Sequence, residues 1–133
     1  MHAIPYMLYG VEMDIHVWCE HNGQIIDPYF EDYDMIRCIG KCHGIQHHRE
    51  QPEHRGLIMP TIRAIIKVIK QQNGVTTQEI LSEYAAKPQY GYCFLNAYAY
   101  AHAHRNDPNG APRLCIGKMG WVRDDGSIWW EFG

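Results

Sequence analysis

Apolar and polar side chains alternate with a period of two between Tyr6 and Trp18, which predicts a long β-strand. Asn22-Gly23 follows this segment, and Asn-Gly between two strand-like runs is the strongest short-range signal for a β-hairpin. The return strand is predicted from Gln24 to Asp27, and Pro28 closes it.

Three segments in the middle of the chain have the features of helices. Isoleucines recur at helical spacing between Pro60, which suits a first helical turn, and Asn73-Gly74, which suits a helix end. The run from Thr76 to Glu79 forms a capping box for a short helix through Ala85. A third helix is predicted from Cys93 to about His104, where good helix formers predominate.

The rest of the pattern completes a small α+β fold. Arg37 to Arg55 is polar and contains glycines, which predicts a long surface loop that leaves room for one short strand. Asp125-Gly126 joins Leu114–Arg123 to Ser127–Phe132 as a second hairpin. With 133 residues, we expect a single domain over 1–133, in which two β-hairpins form a small antiparallel sheet against two or three helices.

Composition narrows the classes of function. The net charge of −3 and the scattered Lys and Arg residues argue against nucleic-acid binding. The N-terminus lacks the pattern of a signal peptide and no apolar run could span a bilayer, so a cytoplasmic protein that binds no membrane is expected. In that reducing compartment the five cysteines would be thiols or metal ligands, and nine histidines hint at proton or metal chemistry.

The first hairpin brings a base and an acid together if its turn has two residues. His21 then pairs with Gln24 and Trp18 with Asp27, so His16 and Asp27 become diagonal neighbours on one face. A carboxylate in that position can hold one imidazole nitrogen and leave the other as a base. A loop one residue longer would separate the two side chains.

Cys93 supplies a candidate nucleophile. It lies between Pro88-Gln89-Tyr90-Gly91-Tyr92 and a helix-forming run, and therefore at a predicted helix N-terminus. The positive end of the helix dipole and a nearby imidazolium both favour thiolate over thiol, and an activated cysteine needs such a position.

These motifs resemble those of the papain-like and transglutaminase-like thiol hydrolases. Tyr92-Cys93-Phe94-Leu95-Asn96-Ala97 is similar to their nucleophile helix. His16-Val17-Trp18, followed by Gly23-Gln24-Ile25-Ile26-Asp27-Pro28, is similar to the hairpin that carries their base and its acid partner. The order histidine, acid, cysteine resembles the circularly permuted branch of this superfamily, in which moving the first hairpin to the end restores the usual order.

The resemblance implies a permuted papain-like core and a function. We expect a small cysteine-dependent hydrolase or acyltransferase that needs no cofactor for catalysis. Its substrate would be a protein, peptide or small acyl compound with an amide, isopeptide or thioester bond. Cys93 would attack, His16 would move the proton, Asp27 would orient His16, and Gln89 would help to stabilise the oxyanion.

Two other hypotheses belong to different classes. The same scaffold could be a non-catalytic binding or assembly module, in which Cys93 is a packing residue. The stretch from Cys38 to His54 could also hold a structural zinc ion, with Cys38, Cys42, His47 and His54 as ligands, and such a site is compatible with either function. Trp129 and Trp130 must face opposite sides of their strand, so one of them is expected to contact a second copy or another partner.

Overall fold

Five β-strands and three α-helices form the part of the chain that the computed structural model describes, which is residues 15–28, 42–48, 51–89, 91–123 and 125–130. The strands are β1 (His16–His21), β2 (Gln24–Ile26), β3 (Cys42–His48), β4 (Arg113–Arg123) and β5 (Ile128–Trp130). The helices are α1 (Ile58–Asn73), α2 (Thr77–Ala86) and α3 (Cys93–Ala103), and a 3-10 helix (Pro52–Leu57) precedes α1. The predicted α+β class is confirmed.

β4 is the central strand of an antiparallel sheet in the order β2-β1-β4-β3, and β5 also pairs with β4. The first half of β4 pairs with β1, with His16 opposite Gly117. Its second half pairs with β3 on one side, and with β5 through Gly120 to Val122. β4 has eleven residues, so it can pair with β1 along its first half and with β3 and β5 along its second half, and the two halves of the sheet share this strand.

Local sequence signals set the point where α1 ends and the point where α2 begins. Gly74 caps α1 with a φ of 66°, a left-handed conformation that glycine adopts without steric cost. Thr76 caps α2 by accepting the Glu79 N–H, and the Glu79 side chain accepts the Thr76 N–H in return. Both ends are therefore where the Asn-Gly and capping-box motifs predict them.

α3 packs in the centre of the molecule, between β1 and the other two helices. Phe94, Leu95 and Ala97 are fully buried, and Ala97 accepts a hydrogen bond from the Cys19 thiol of β1 at 3.2 Å. Burying a side chain the size of Phe94 or Leu95 contributes about 1.5–3 kcal/mol to the stability of the fold. The remaining core comes from α1, α2 and the two central strands: Ile15, Val17, Ile58, Ile62, Ile65, Ile80, Leu81 and Ile116.

The segment predicted to be a surface loop contains more structure than its polar pattern indicated. β3 extends over seven residues, with an irregular register between Cys42 and Ile45, and the 3-10 helix follows it. A sheet strand is held by backbone hydrogen bonds to its neighbour, which do not require alternating side chains. The strand allowed for within this loop is therefore present as β3, and the prediction of irregular structure is wrong for the 3-10 helix.

Several predicted boundaries shift or fall outside the described residues. The described part of the first strand begins at His16, so the prediction of a strand from Tyr6 stays open over most of its length. β5 ends at Trp130 in the described range, and Phe132 lies beyond it. Among the described helices, none has the length and apolar character needed to cross a membrane.

Candidate active site

The turn of the first hairpin has the two-residue geometry on which the site depends. Asn22 and Gly23 both have positive φ, 54° and 77°, as a type I′ turn requires. His21 pairs with Gln24 and Cys19 with Ile26, so the next position along β1, Trp18, lies opposite Asp27. The predicted register is confirmed.

This register places His16 against Asp27. The His16 Nε2 atom hydrogen-bonds to the Asp27 Oδ2 atom, and each side chain is only 5% exposed. The Trp18 ring stacks beside the imidazole, with ring centroids 6.2 Å apart. Because water is largely excluded, this ion pair has a stronger electrostatic interaction than an exposed one.

Cys93 is the first residue of α3, and its thiol lies close enough to His16 to raise the pKa of that imidazole through charge and hydrogen bonding. Since Asp27 takes Nε2, the other ring nitrogen, Nδ1, is the one left for the sulfur. The structure thus brings together three of the four residues predicted from the sequence, with the imidazole between the carboxylate and the thiol.

The environment of His16 favours the charged imidazolium. Burial, the largest single influence, lowers the pKa of His16, but Asp27 and Cys93 together raise it well above the ordinary value of 6.5 through charge and hydrogen bonding. The charged form of this imidazole places a positive charge close to the sulfur, which is the kind of environment in which reactive cysteines are found.

A buried amide fixes the turn that leads into the nucleophile helix. Asn96 is 1% exposed, its Oδ1 accepts the Gln89 N–H at 3.0 Å, and its Nδ2 donates to the Gln89 carbonyl at 2.8 Å. The Tyr92 N–H also donates to that carbonyl, and Gly91 has a φ of 84°. A polar residue inside the apolar run Cys93–Ala101 was the sequence signal for this role, which the sequence analysis missed.

The Gln89 side chain is directed to the backbone rather than to the sulfur. Its Nε2 donates to the Lys87 carbonyl at 3.0 Å. The first backbone N–H groups of α3 have no intrahelical acceptor, and they lie at the nucleophile's end of the helix. The oxyanion role of Gln89 stays a prediction, and these backbone groups are better placed for it.

The other two cysteines with described side chains have a different environment. Burial, with smaller effects of Cys115 and Asp27, raises the pKa of Cys19 to about 12. Burial also raises the pKa of Cys115. Both thiols are held in the neutral form, so Cys93 is distinguished from them by its histidine partner.

A second histidine–aspartate pair lies at the other end of β1. His21 Nε2 is 2.8 Å from Asp107 Oδ2, and its Nδ1 is 2.9 Å from the Tyr100 hydroxyl. The His104 ring packs on Tyr100 with centroids 4.2 Å apart. Sequence reasoning missed this cluster, because Asp107 is more than eighty positions away and lies in a predicted loop. Both ring nitrogens of His21 have hydrogen-bond partners, as expected for a histidine that connects the loop containing Asp107 to the hairpin.

The zinc hypothesis falls largely outside the described side chains. Cys38 is not among the described residues, and Cys42 and His47 lie on β3, where the description is of the backbone. His54 lies in the 3-10 helix and is half-buried. Within the described ranges, no group of three or more His, Cys, Asp or Glu side chains could hold a metal. The ligand set, and the predicted partner contact through Trp129 or Trp130 of β5, stay predictions.

The papain-like resemblance therefore depends on short motifs and on this geometry. Comparisons with protein-family models, with curated proteins and with solved structures found no match to the chain.

Proposed function

We propose that this chain is a cysteine-dependent hydrolase or acyltransferase that acts on an amide, isopeptide or thioester bond. The observation that supports this proposal is the position of the His16 imidazole, which hydrogen-bonds to Asp27 and lies near enough to Cys93 for that thiol to raise the pKa of His16. A nucleophile, a base and a group that orients the base are the minimum for covalent acyl transfer.

In the first step of the proposed reaction, the Cys93 thiolate attacks the carbonyl carbon of the substrate. A carbon–sulfur bond forms, and the carbonyl π electrons move to the oxygen. Backbone N–H groups at the start of α3 stabilise this oxyanion, with the Gln89 side chain as a further candidate donor. The raised pKa of His16 means that the imidazolium is ready beside the sulfur at neutral pH.

In the following steps His16 first donates a proton and later accepts one. The oxyanion re-forms the carbonyl, and His16 protonates the leaving amine or thiol as it departs, which leaves an acyl group on Cys93. A water molecule or an acceptor substrate then loses a proton to His16 and attacks the acyl carbon. When this second oxyanion collapses, the carbon–sulfur bond breaks, the acyl product leaves, and the Cys93 thiolate is restored beside the protonated His16. Asp27 stays ionised and holds the imidazole in place.

One observation favours the second candidate, a non-catalytic module on the same scaffold. Cys93 is only 6% exposed and packs among the residues of the apolar core. In a module, the His16–Asp27 pair would serve to satisfy buried polar groups and not to activate sulfur. The two candidates differ in how fast the Cys93 sulfur reacts.

The rate of thiol alkylation distinguishes a chemically activated Cys93 from one that is merely accessible to the reagent. Iodoacetamide labelling of the native protein, followed by mass spectrometry of each cysteine, should modify Cys93 faster than the other four thiols. The reference is the same protein unfolded in urea at the same pH. Cys93 labelled faster in the native state supports activation, whereas Cys93 labelled more slowly than in urea supports the module.

A matched pair of histidine variants tests the base. His16→Gln should reduce the labelling rate of Cys93 by about tenfold or more, because the adjacent positive charge is lost. His21→Gln removes another buried histidine with an aspartate partner from the same strand, and should leave that rate nearly unchanged. Equal effects of the two changes would contradict the proposal.

Acyl transfer itself can be tested with a small activated ester. Incubation with p-nitrophenyl acetate should give a transient acetyl group on Cys93, seen in the mass of its peptide, and Cys93→Ala should abolish the burst of nitrophenol. Cys115→Ala is the control, because the Cys115 thiol lies in the sheet, with a raised pKa.

A further inference from the structure

Two adjoining cavities lie along the outer side of α1, and Met59 and Tyr98 line both of them. The first, of about 470 Å³, lies between α1, Thr77 at the start of α2, and Tyr98 of α3. The second, of about 530 Å³, continues past the end of α3 to the beginning of β4. Together they form one open groove, which we call the α1 groove.

Basic residues are concentrated in the α1 groove. Three line the first cavity and three line the second, so half of the chain's 12 Lys and Arg residues are here, in a protein with a net charge of −3. No Asp or Glu lines either cavity among the described residues. Arg113 forms an ion pair with Glu20 at 2.9 Å, so part of the positive charge of the second cavity is compensated.

The basic residues of α1 form a stripe at helical spacing. Arg63, Lys67 and Lys70 are exposed, at positions i, i+4 and i+7, and the sequence of α1 contains no acidic residue. Like charges at these spacings repel and lower the stability of a helix. Carboxylates of a bound partner would remove that repulsion, and the stripe of about 10 Å matches two turns of a facing helix.

The floor of the α1 groove is apolar. Ile62 is buried, and Met59, Ile66 and Tyr98 are half-buried beside the basic stripe. A sugar-phosphate backbone would neutralise the stripe but has no aliphatic groups to cover these side chains. An amphipathic acidic peptide matches both the basic stripe and the apolar floor, since its acidic residues contact the basic side chains while its apolar residues cover the floor.

We infer that the α1 groove binds an acidic, amphipathic segment of a partner protein. Carboxylates of that segment lie against Arg63, Lys67 and Lys70, and its apolar side chains cover Met59 and Ile66. This role is separate from the proposed chemistry, because none of the candidate catalytic residues lines either cavity.

Fluorescence anisotropy with a labelled peptide of repeated Glu-Glu-Leu-Leu units tests the inference. This probe should bind the full chain, and its affinity should fall as salt is added. A peptide with Lys in place of Glu, and a peptide of Glu alone, should bind at least about tenfold more weakly, because each lacks one of the two matching features.

Charge variants locate the binding. Lys67→Glu should weaken binding by about tenfold, and Lys67→Gln by less, while Lys87→Glu, on an exposed lysine outside the groove, should change it less than about twofold. Circular dichroism verifies that each variant is folded. Absence of binding, equal loss with Lys87→Glu, or a single-stranded oligonucleotide that binds more tightly through Lys67 would each overturn the inference.

Discussion

Replacing Asn96 by leucine tests whether a single buried amide holds the turn before the nucleophile helix. Leucine has the same number and branching of side-chain heavy atoms as asparagine, so the change removes hydrogen bonds without leaving a cavity, although its methyl groups are bulkier. Asn96 is 1% exposed and makes two hydrogen bonds to Gln89, at 3.0 Å and 2.8 Å. The variant therefore removes these polar contacts while the position stays filled.

The expected loss follows from those two contacts. Each hydrogen bond contributes about 1 kcal/mol net, and the unpaired backbone groups of Gln89 add about 1 kcal/mol because they are half-buried and only partly reached by water. The Tyr92 N–H still donates to the Gln89 carbonyl, which limits the cost. The free energy of unfolding should fall by about 2–3 kcal/mol.

Urea unfolding followed by tryptophan fluorescence measures this change. With a slope of about 1.5–2 kcal/mol per M, the midpoint should fall by about 1–2 M with little change in slope. Asn73→Leu is the matched control, because the Asn73 amide also donates to a backbone carbonyl but is exposed. That variant should lose no more than about 0.5 kcal/mol.

The reactivity of Cys93 gives a second measurement. If the turn loosens in Asn96→Leu, the start of α3 is less well defined, and native-state alkylation of Cys93 should slow relative to the parent protein. A loss of stability no larger than that of Asn73→Leu, or an unchanged alkylation rate with the full loss of stability, would refute the idea that this amide positions the nucleophile.

Two further predictions concern the histidines of β1. Because the pKa of folded His16 lies well above 6.5, its charge stabilises the fold below about pH 6.5, and the stability should decline as the pH rises through the folded pKa. His16→Gln should flatten this part of a plot of urea midpoint against pH, and an equally steep decline in the variant would contradict the assignment. Tyr100→Phe removes the hydroxyl that bonds to His21 at 2.9 Å and should cost about 1 kcal/mol, measured by urea unfolding against Tyr98→Phe. Equal losses in the two tyrosine variants would show that the bond to His21 adds no stability.

The local elements of the fold could be predicted because short-range signals specify them. The Asn22-Gly23 turn requires positive φ at both residues, and the Thr76 capping box satisfies backbone groups within one helical turn. The extent of β3 could not be predicted in this way, because its polar residues have no period-two pattern and its pairing partners are 70 to 81 positions away, from His48–Lys118 to Cys42–Arg123. Its strand conformation depends on β4 already being in place.

The contacts of the candidate site also fall into two groups, those that the sequence could predict and those that it could not. The diagonal placement of His16 and Asp27 follows from one turn and the alternation of a strand, so it could be derived from the sequence. The contact with Cys93 could be suggested only through resemblance, because α3 must pack across β1 before that contact exists. The bonds of Asn96 to Gln89 and of His21 to Asp107 likewise require the packed fold.

By itself, the sequence determined the α+β class, the C-terminal end of α1, the start of α2, and the register that pairs a histidine with an aspartate. These features depend on groups within about a dozen residues of each other, where the chain geometry permits few arrangements. Tertiary structure alone decided that the Cys93 thiol meets that histidine, that the other described thiols are held neutral, and that basic side chains from separate elements share one groove. Such contacts join distant parts of the chain, and packing of the whole core selects them.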